Sequence, residues 1–159
     1  EGVIQTAHGE FRLVAYRDQT AGGVHIALTM GDITPETPTL VRVHVNSVLR
    51  DLVGSELPDQ SSWSIGKCLK VVADAGRGVV VLLAREESTD QLLASIDAAL
   101  GERPGPSNDS HDSYPTVGLG SQILKDLGVG KIRLMGAPIK YNGISGFDLE
   151  VQEFVKPRA

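Results

Sequence analysis

Gly78-Val79-Val80-Val81-Leu82-Leu83-Ala84 is a continuous apolar run, which fits a strand covered on both faces and not one with a wet side. Helical patterns lie to either side of it. Upstream, Ile65, Leu69, Val72 and Ala73 recur at helical spacing after Ser61-Ser62, which can cap a helix, and Gly76 ends the run. Downstream, Ser88 or Thr89 caps a second helix carrying Leu92, Leu93, Ile96 and Leu100, with a stop at Gly101. A buried strand between two helices implies an α/β layer.

Further out, three segments rich in β-branched and aromatic residues read as strands: Glu10 to Tyr16, Val24 to Thr29 and Leu40 to Val45. Turn signals such as Gly31-Asp32 and Thr34-Pro35 bound them, and they are expected to form an antiparallel β unit. From Glu102 to Thr116 the composition turns to Pro, Gly, Ser, Asn, Asp and His without hydrophobic period, which predicts a long mobile loop. A third helix is expected over Leu119 to Leu127, stopped by Gly128, then a strand over Lys131 to Met135. The last strand, Phe147 to Val155, alternates apolar and acidic residues and so has one wet face. The fold class is therefore α/β: an N-terminal antiparallel β unit followed by a mixed sheet with flanking helices, in a single domain over residues 1–159.

With 159 residues and 41% hydrophobic content, the chain has enough apolar mass for one packed core. Fifteen basic residues are outnumbered by 20 acidic ones, giving a net charge of −5, and no basic stripe exists to follow a phosphate backbone. Nucleic acid is excluded as a partner on that ground. No run approaches the roughly 18 apolar residues of a membrane span, and the N-terminus carries no secretory pattern, so a cytoplasmic setting is expected. The single cysteine, Cys68, rules out an internal disulfide. Beginning at Glu1, the numbered chain reads as the C-terminal part of something longer.

Six stretches share a further pattern: GEFRLVAYRD (9–18), HIALTMGDI (25–33), LVRVH (40–44), GRGVVVLLAREE (76–87), GLGSQILKDLGVGKIR (118–133) and GFDLEV (146–151). Together they resemble GTP cyclohydrolase II, which opens the guanine ring at the first step of riboflavin synthesis. The opening stretch also resembles the junction in bifunctional proteins that fuse this domain behind 3,4-dihydroxy-2-butanone 4-phosphate synthase.

The resemblance implies a zinc ion held by three thiolates, the first soon after the Arg-Val-His triplet. Here Arg42-Val43-His44 is followed by Val45-Asn46-Ser47, and the later region reads Glu56-Leu57-Pro58-Asp59-Gln60-Ser61-Ser62. All three thiolates are absent. Cys68 falls inside the first predicted helix on a mostly apolar side, where a buried thiol is the usual reading. His44, Asp51, Asp59 and His111 are conceivable substitute ligands, but no close pair has ligand spacing, so zinc is not expected. The aspartate and arginine that the family places before its third helix are replaced by Ser113-Tyr114-Pro115-Thr116-Val117. An arginine after the buried strand is lost to Glu86-Glu87-Ser88-Thr89, which should repel a triphosphate unless magnesium accompanies the nucleotide.

What survives is a vestigial nucleotide-binding set of Arg42, His44, Glu87 and Lys140, with no catalytic and no metal residue assigned. Arg42 and His44 are two apart on one strand and share a face. They read equally as a strand face paired locally with Asp51 or Glu87. Gly118-Leu119-Gly120 offers amides to an anion at a helix N-terminus, or room for close helix packing. Trp63 is expected to plug the space near the missing metal.

The expectation from this pattern is a catalytically inactive domain of a riboflavin-pathway fusion, supporting or regulating an upstream synthase domain of the same chain, and homodimeric. Two alternatives accompany it. One is a cyclohydrolase with a rebuilt metal site, or a hydrolase of another nucleotide using Glu87 with His111 or Asp112. The other is a binding module sensing GTP or a flavin product through Arg42, His44 and Lys140.

Overall fold

The computed structural model describes residues 1–19, 22–54, 63–84, 88–101, 109–136 and 149–155, the side chains of 109–117 excepted. Seven strands form one sheet: β1 (Gly2–Thr6), β2 (Gly9–Arg17), β3 (Val24–Met30), β4 (Thr39–Val45), β5 (Gly78–Leu83), β6 (Lys131–Met135) and β7 (Glu150–Val155). Their order is β1-β2-β3-β5-β4-β6-β7. The steps from β1 through β3 to β5 are antiparallel, while β5 with β4, β4 with β6, and β6 with β7 are parallel. The mixed sheet with flanking helices is thus as expected.

One placement differs. β4 does not join the antiparallel unit but lies between β5 and β6, parallel to both. The chain runs from β4 through helix α1 (Ile65–Ala75) into β5, a crossover that returns parallel strands side by side. Residue pattern alone marks β4 as buried without naming its neighbours. β1 was not anticipated; its residues are mostly exposed and carry little pattern.

Alternation along β4 and β5 divides the core into two. Leu40 and Val80 face α1 in a cluster with Phe11, Leu28, Trp63, Cys68, Val72 and Met135. Val41, Val43, Val79, Val81 and Leu83 face the other way, against Ile123 and Leu124 of helix α3 (Asp109–Asp126). β5 is buried along nearly its whole length, as its unbroken apolar run requires. α1 begins at Ser64, whose hydroxyl accepts the Lys67 amide at 3.3 Å, while Ser61 and Ser62 lie outside the described residues. It ends at Gly76 in a left-handed conformation, φ 77°, with the amide returning to Val72 and Ala73.

α2 (Thr89–Ala99) opens with a full capping box between Ser88 and Gln91. It buries no residue, and Leu93 and Leu100 stay exposed. α3 starts at Asp109, so the second half of the expected loop is helical, and residues 102–108 lie outside the described residues. Its polar first half has no apolar period to announce it; the packed second half carries the helix. Gly120 sits mid-helix, so no helix N-terminus exists there for an anion. A Cβ on Gly120 would come within 2.9 Å of Val43, which makes close packing of α3 on β4 its role. No helix among the described residues is long and apolar enough to cross a membrane.

Candidate functional site

A buried cluster of charged groups forms where β4 ends. Arg42 and His44 project from the α1 side of the sheet, as their two-residue spacing requires. Beyond them a short π-helical turn, Val48–Leu52, carries Arg50 and Asp51 back over the strand end. Ligands of open α/β sheets commonly enter at this carboxyl edge of the parallel strands.

The hydrogen bonds form a directed chain. Arg42 Nε donates to His44 Nδ1 at 3.1 Å, and Arg42 Nη1 donates to the Met135 carbonyl at 3.0 Å. Because a guanidinium only donates, Nδ1 holds the lone pair and Nε2 carries the ring proton. That proton goes to Asp51 Oδ2, 2.9 Å away. The 3.4 Å approach of Arg50 Nη2 to the same Nε2 is then a contact and not a bond, since both atoms are donors. Arg50 Nη2 donates instead to the Val45 carbonyl at 2.6 Å and to Asp51 Oδ2 at 3.1 Å. Asp51 also accepts the Ser47 amide at 2.8 Å and the Ile65 amide at 2.8 Å. One carboxylate therefore ties the end of β4, the turn and the first residue of α1 together.

His44 is 1% exposed and the Asp51 side chain 5%. Burial disfavours the Asp51 charge, but the hydrogen bonds from His44, Arg50 and Ser47 outweigh it and hold the carboxyl well below its usual range. Burial pushes the His44 imidazole below 6.5, reinforced by the Arg42 charge and only partly countered by the bond to Asp51. In the unfolded chain His44 takes up a proton near 6.5; in the folded chain it does so only at lower pH. Its contribution to stability is present above 6.5 and is lost as pH falls through the folded value. Urea midpoints should therefore fall between about pH 7 and about pH 5, and His44→Gln, neutral throughout, should flatten that fall. An unchanged pH profile in the variant would count against this linkage.

The expected site residues are only partly brought together. Arg42 and His44 share the cluster, with Asp51 as the partner that local pairing anticipated. Glu87 and Lys140 lie outside the described residues, as do Asp59 and Glu86. His111 and Asp112 lie on the first turns of α3, whose side chains are not described. Arg50 was missed altogether. Its signal was an ion pair, Arg50-Asp51, set inside the apolar stretch Val48-Leu49 to Leu52-Val53. Trp63 is 1% exposed, and its indole Nε1 donates to the Val155 carbonyl at 3.2 Å. Cys68 is fully buried beneath it, and burial pushes its thiol up to about 11.

The GTP cyclohydrolase II family matches residues 1–156. Two curated relatives, from Pseudomonas syringae pv. tomato and Pseudomonas aeruginosa, are each 48% identical over 98% of this chain and 42% of their own length. Both are named 3,4-dihydroxy-2-butanone 4-phosphate synthase. A riboflavin biosynthesis protein RibBA from Aquifex aeolicus is 35% identical over 96% of this chain and 39% of its own. Among solved structures, RibBX of A. baumannii, a two-domain 3,4-dihydroxy-2-butanone 4-phosphate synthase, superposes with a TM-score of 0.66 at 30% identity. It is matched over 96% of this chain and 38% of its own. The chain thus spans less than half the length of the curated relatives it matches.

These names overturn the expectation of an inactive domain that serves a separate upstream synthase as its partner. Proteins sharing 48% of residues across 98% of this chain carry the synthase name themselves. The expectation failed because missing zinc thiolates speak to one chemistry only, that of guanine ring opening. The nucleotide hydrolase and the nucleotide sensor weighed beside it find no support in the relatives' names either. What the whole-length match does establish is membership: the chain belongs to the GTP cyclohydrolase II family.

Proposed function

We propose that this chain works in riboflavin biosynthesis as part of a 3,4-dihydroxy-2-butanone 4-phosphate synthase. The observation that carries the reading is the 48% identity to two synthases across 98% of the chain. The likeness to a two-domain synthase of known structure supports it. The charge of the cluster at the end of β4 agrees with a phosphorylated compound: Arg42 and Arg50 are two permanent cations against the one carboxylate of Asp51. Arg42 Nη2 makes no hydrogen bond among the described residues, which supports reading it as the donor for a phosphate.

The test is complementation of a bacterial strain that requires riboflavin because it lacks this synthase, using the full-length protein that contains the chain. Growth without riboflavin, together with formation of 3,4-dihydroxy-2-butanone 4-phosphate in extracts followed by phosphorus NMR, is the expected result. A folded, expressed protein that yields neither growth nor product would refute the reading.

A further inference from the structure

The family resemblance implies zinc next to the Arg-Val-His triplet, and the donors around His44 do not fit it. Among the described residues no three His, Cys, Asp or Glu side chains come together. The lone pairs that His44 and Asp51 offer are already used. Nδ1 is taken by Arg42, Nε2 carries a proton, and the carboxylate accepts Ser47, Ile65, His44 and Arg50. A divalent ion would also meet two guanidinium charges at close range. Cys68 is turned into the apolar cluster under Trp63 and contributes no thiolate.

We propose that the Arg50 guanidinium is the resident cation of this site, closing the β4-to-α1 connection as a metal ion would. Its Nη2 joins the Val45 carbonyl at the end of β4 to the Asp51 carboxylate. Asp51 in turn holds the amides of Ser47 and Ile65, so one cation and one anion fasten four points of the chain. A planar, permanently charged fork suits this task, because Nη2 reaches the Val45 carbonyl and Asp51 Oδ2 while Nε faces Asp51 Oδ1 at 3.5 Å, and it cannot be chelated away. Lysine, a single point of charge, would reproduce only part of it. Val48–Leu52 is then a preformed clip, and the site's shape is independent of added metal.

The chain contains one tryptophan, Trp63, two residues before Ile65, so its fluorescence reports on the clip directly. The experiment compares the full chain with Arg50→Lys and Arg50→Ala, each with one equivalent of zinc and with a chelator. The wild type should melt at the same temperature in both conditions and retain no zinc after gel filtration. Arg50→Ala should melt lower by roughly 5 °C or more, with Trp63 emission shifted to the red, and millimolar guanidinium ion should restore part of the loss. Arg50→Lys should fall between the two, and it remains informative if the alanine variant does not fold. Zinc retained at one equivalent with a raised wild-type melting temperature would overturn the proposal. So would a lysine or alanine variant with wild-type melting and emission.

Discussion

Asp51→Ala should destabilise the chain by roughly 3–5 kcal/mol, the cost typical of removing one partner from a buried ion pair. The carboxylate is almost fully covered and accepts from His44, Arg50 and the amides of Ser47 and Ile65. Alanine leaves the His44 ring N–H and the amides of Ser47 and Ile65 without this acceptor, and leaves Arg50 with the Val45 carbonyl alone. For a domain of this size the loss corresponds to about 10 °C or more in melting temperature. Asp51→Asn keeps the shape and one acceptor oxygen but removes the charge facing Arg50, so it should fall between wild type and alanine. Thermal melting monitored by Trp63 fluorescence measures both. An alanine variant within about 1 kcal/mol of wild type would show that the clip does not hold α1.

Trp63→Ala should cost a comparable amount, roughly 3–5 kcal/mol. The indole is 1% exposed and packs with Phe11, Leu28, Leu40, Cys68, Val72, Val80 and Met135, so truncation opens a large cavity between α1 and the sheet. The variant also loses the bond from Nε1 to the Val155 carbonyl, which ties the end of the edge strand β7 to the start of α1. Trp63→Phe separates the two contributions. It refills most of the volume and forfeits the single bond, for an expected loss nearer 1 kcal/mol beyond the smaller ring. Hydrogen exchange of the β7 amides should rise in both variants. Unchanged exchange at β7 in either one would detach that strand from the indole.

Several elements were legible in the residues because their signals are local. The apolar run of β5, the glycine stop at Gly76 and the capping serine at Ser88 each act within one turn or one strand of where they stand. The buried thiol was legible for the same reason, from its neighbours in a helical period, while the indole was expected as an apolar plug from its place beside the helix start. α2 was legible as a helix but not as an exposed one, since periodicity records a stripe and not what covers it. The polar first half of α3 had no stripe to record.

The candidate site was half legible. Arg42 and His44 could be placed on one face by their spacing alone, and charge offered Asp51 or Glu87 as the local partner of that face, of which the fold supplies Asp51. Arg50 could not be found that way, because its partners are a backbone carbonyl at Val45 and a carboxylate whose orientation depends on the fold of the turn. Family resemblance drew attention to the Arg42-Val43-His44 triplet and at the same time misdirected the function. It compared the chain with residues needed for one reaction, whereas the relatives share this chain within proteins named for another.

The residues by themselves determined the α/β class, the strands and helices with strong periods, and membership in the GTP cyclohydrolase II family, all of which rest on short-range pattern. Only the tertiary structure decided that β4 lies between β5 and β6. It alone joined Asp51 to the amide of Ile65, fourteen residues on, and set the Arg50 guanidinium into the strand end. Those outcomes depend on which segments the crossover through α1 brings together, and a hydrogen bond between distant residues exists only once that path has been taken.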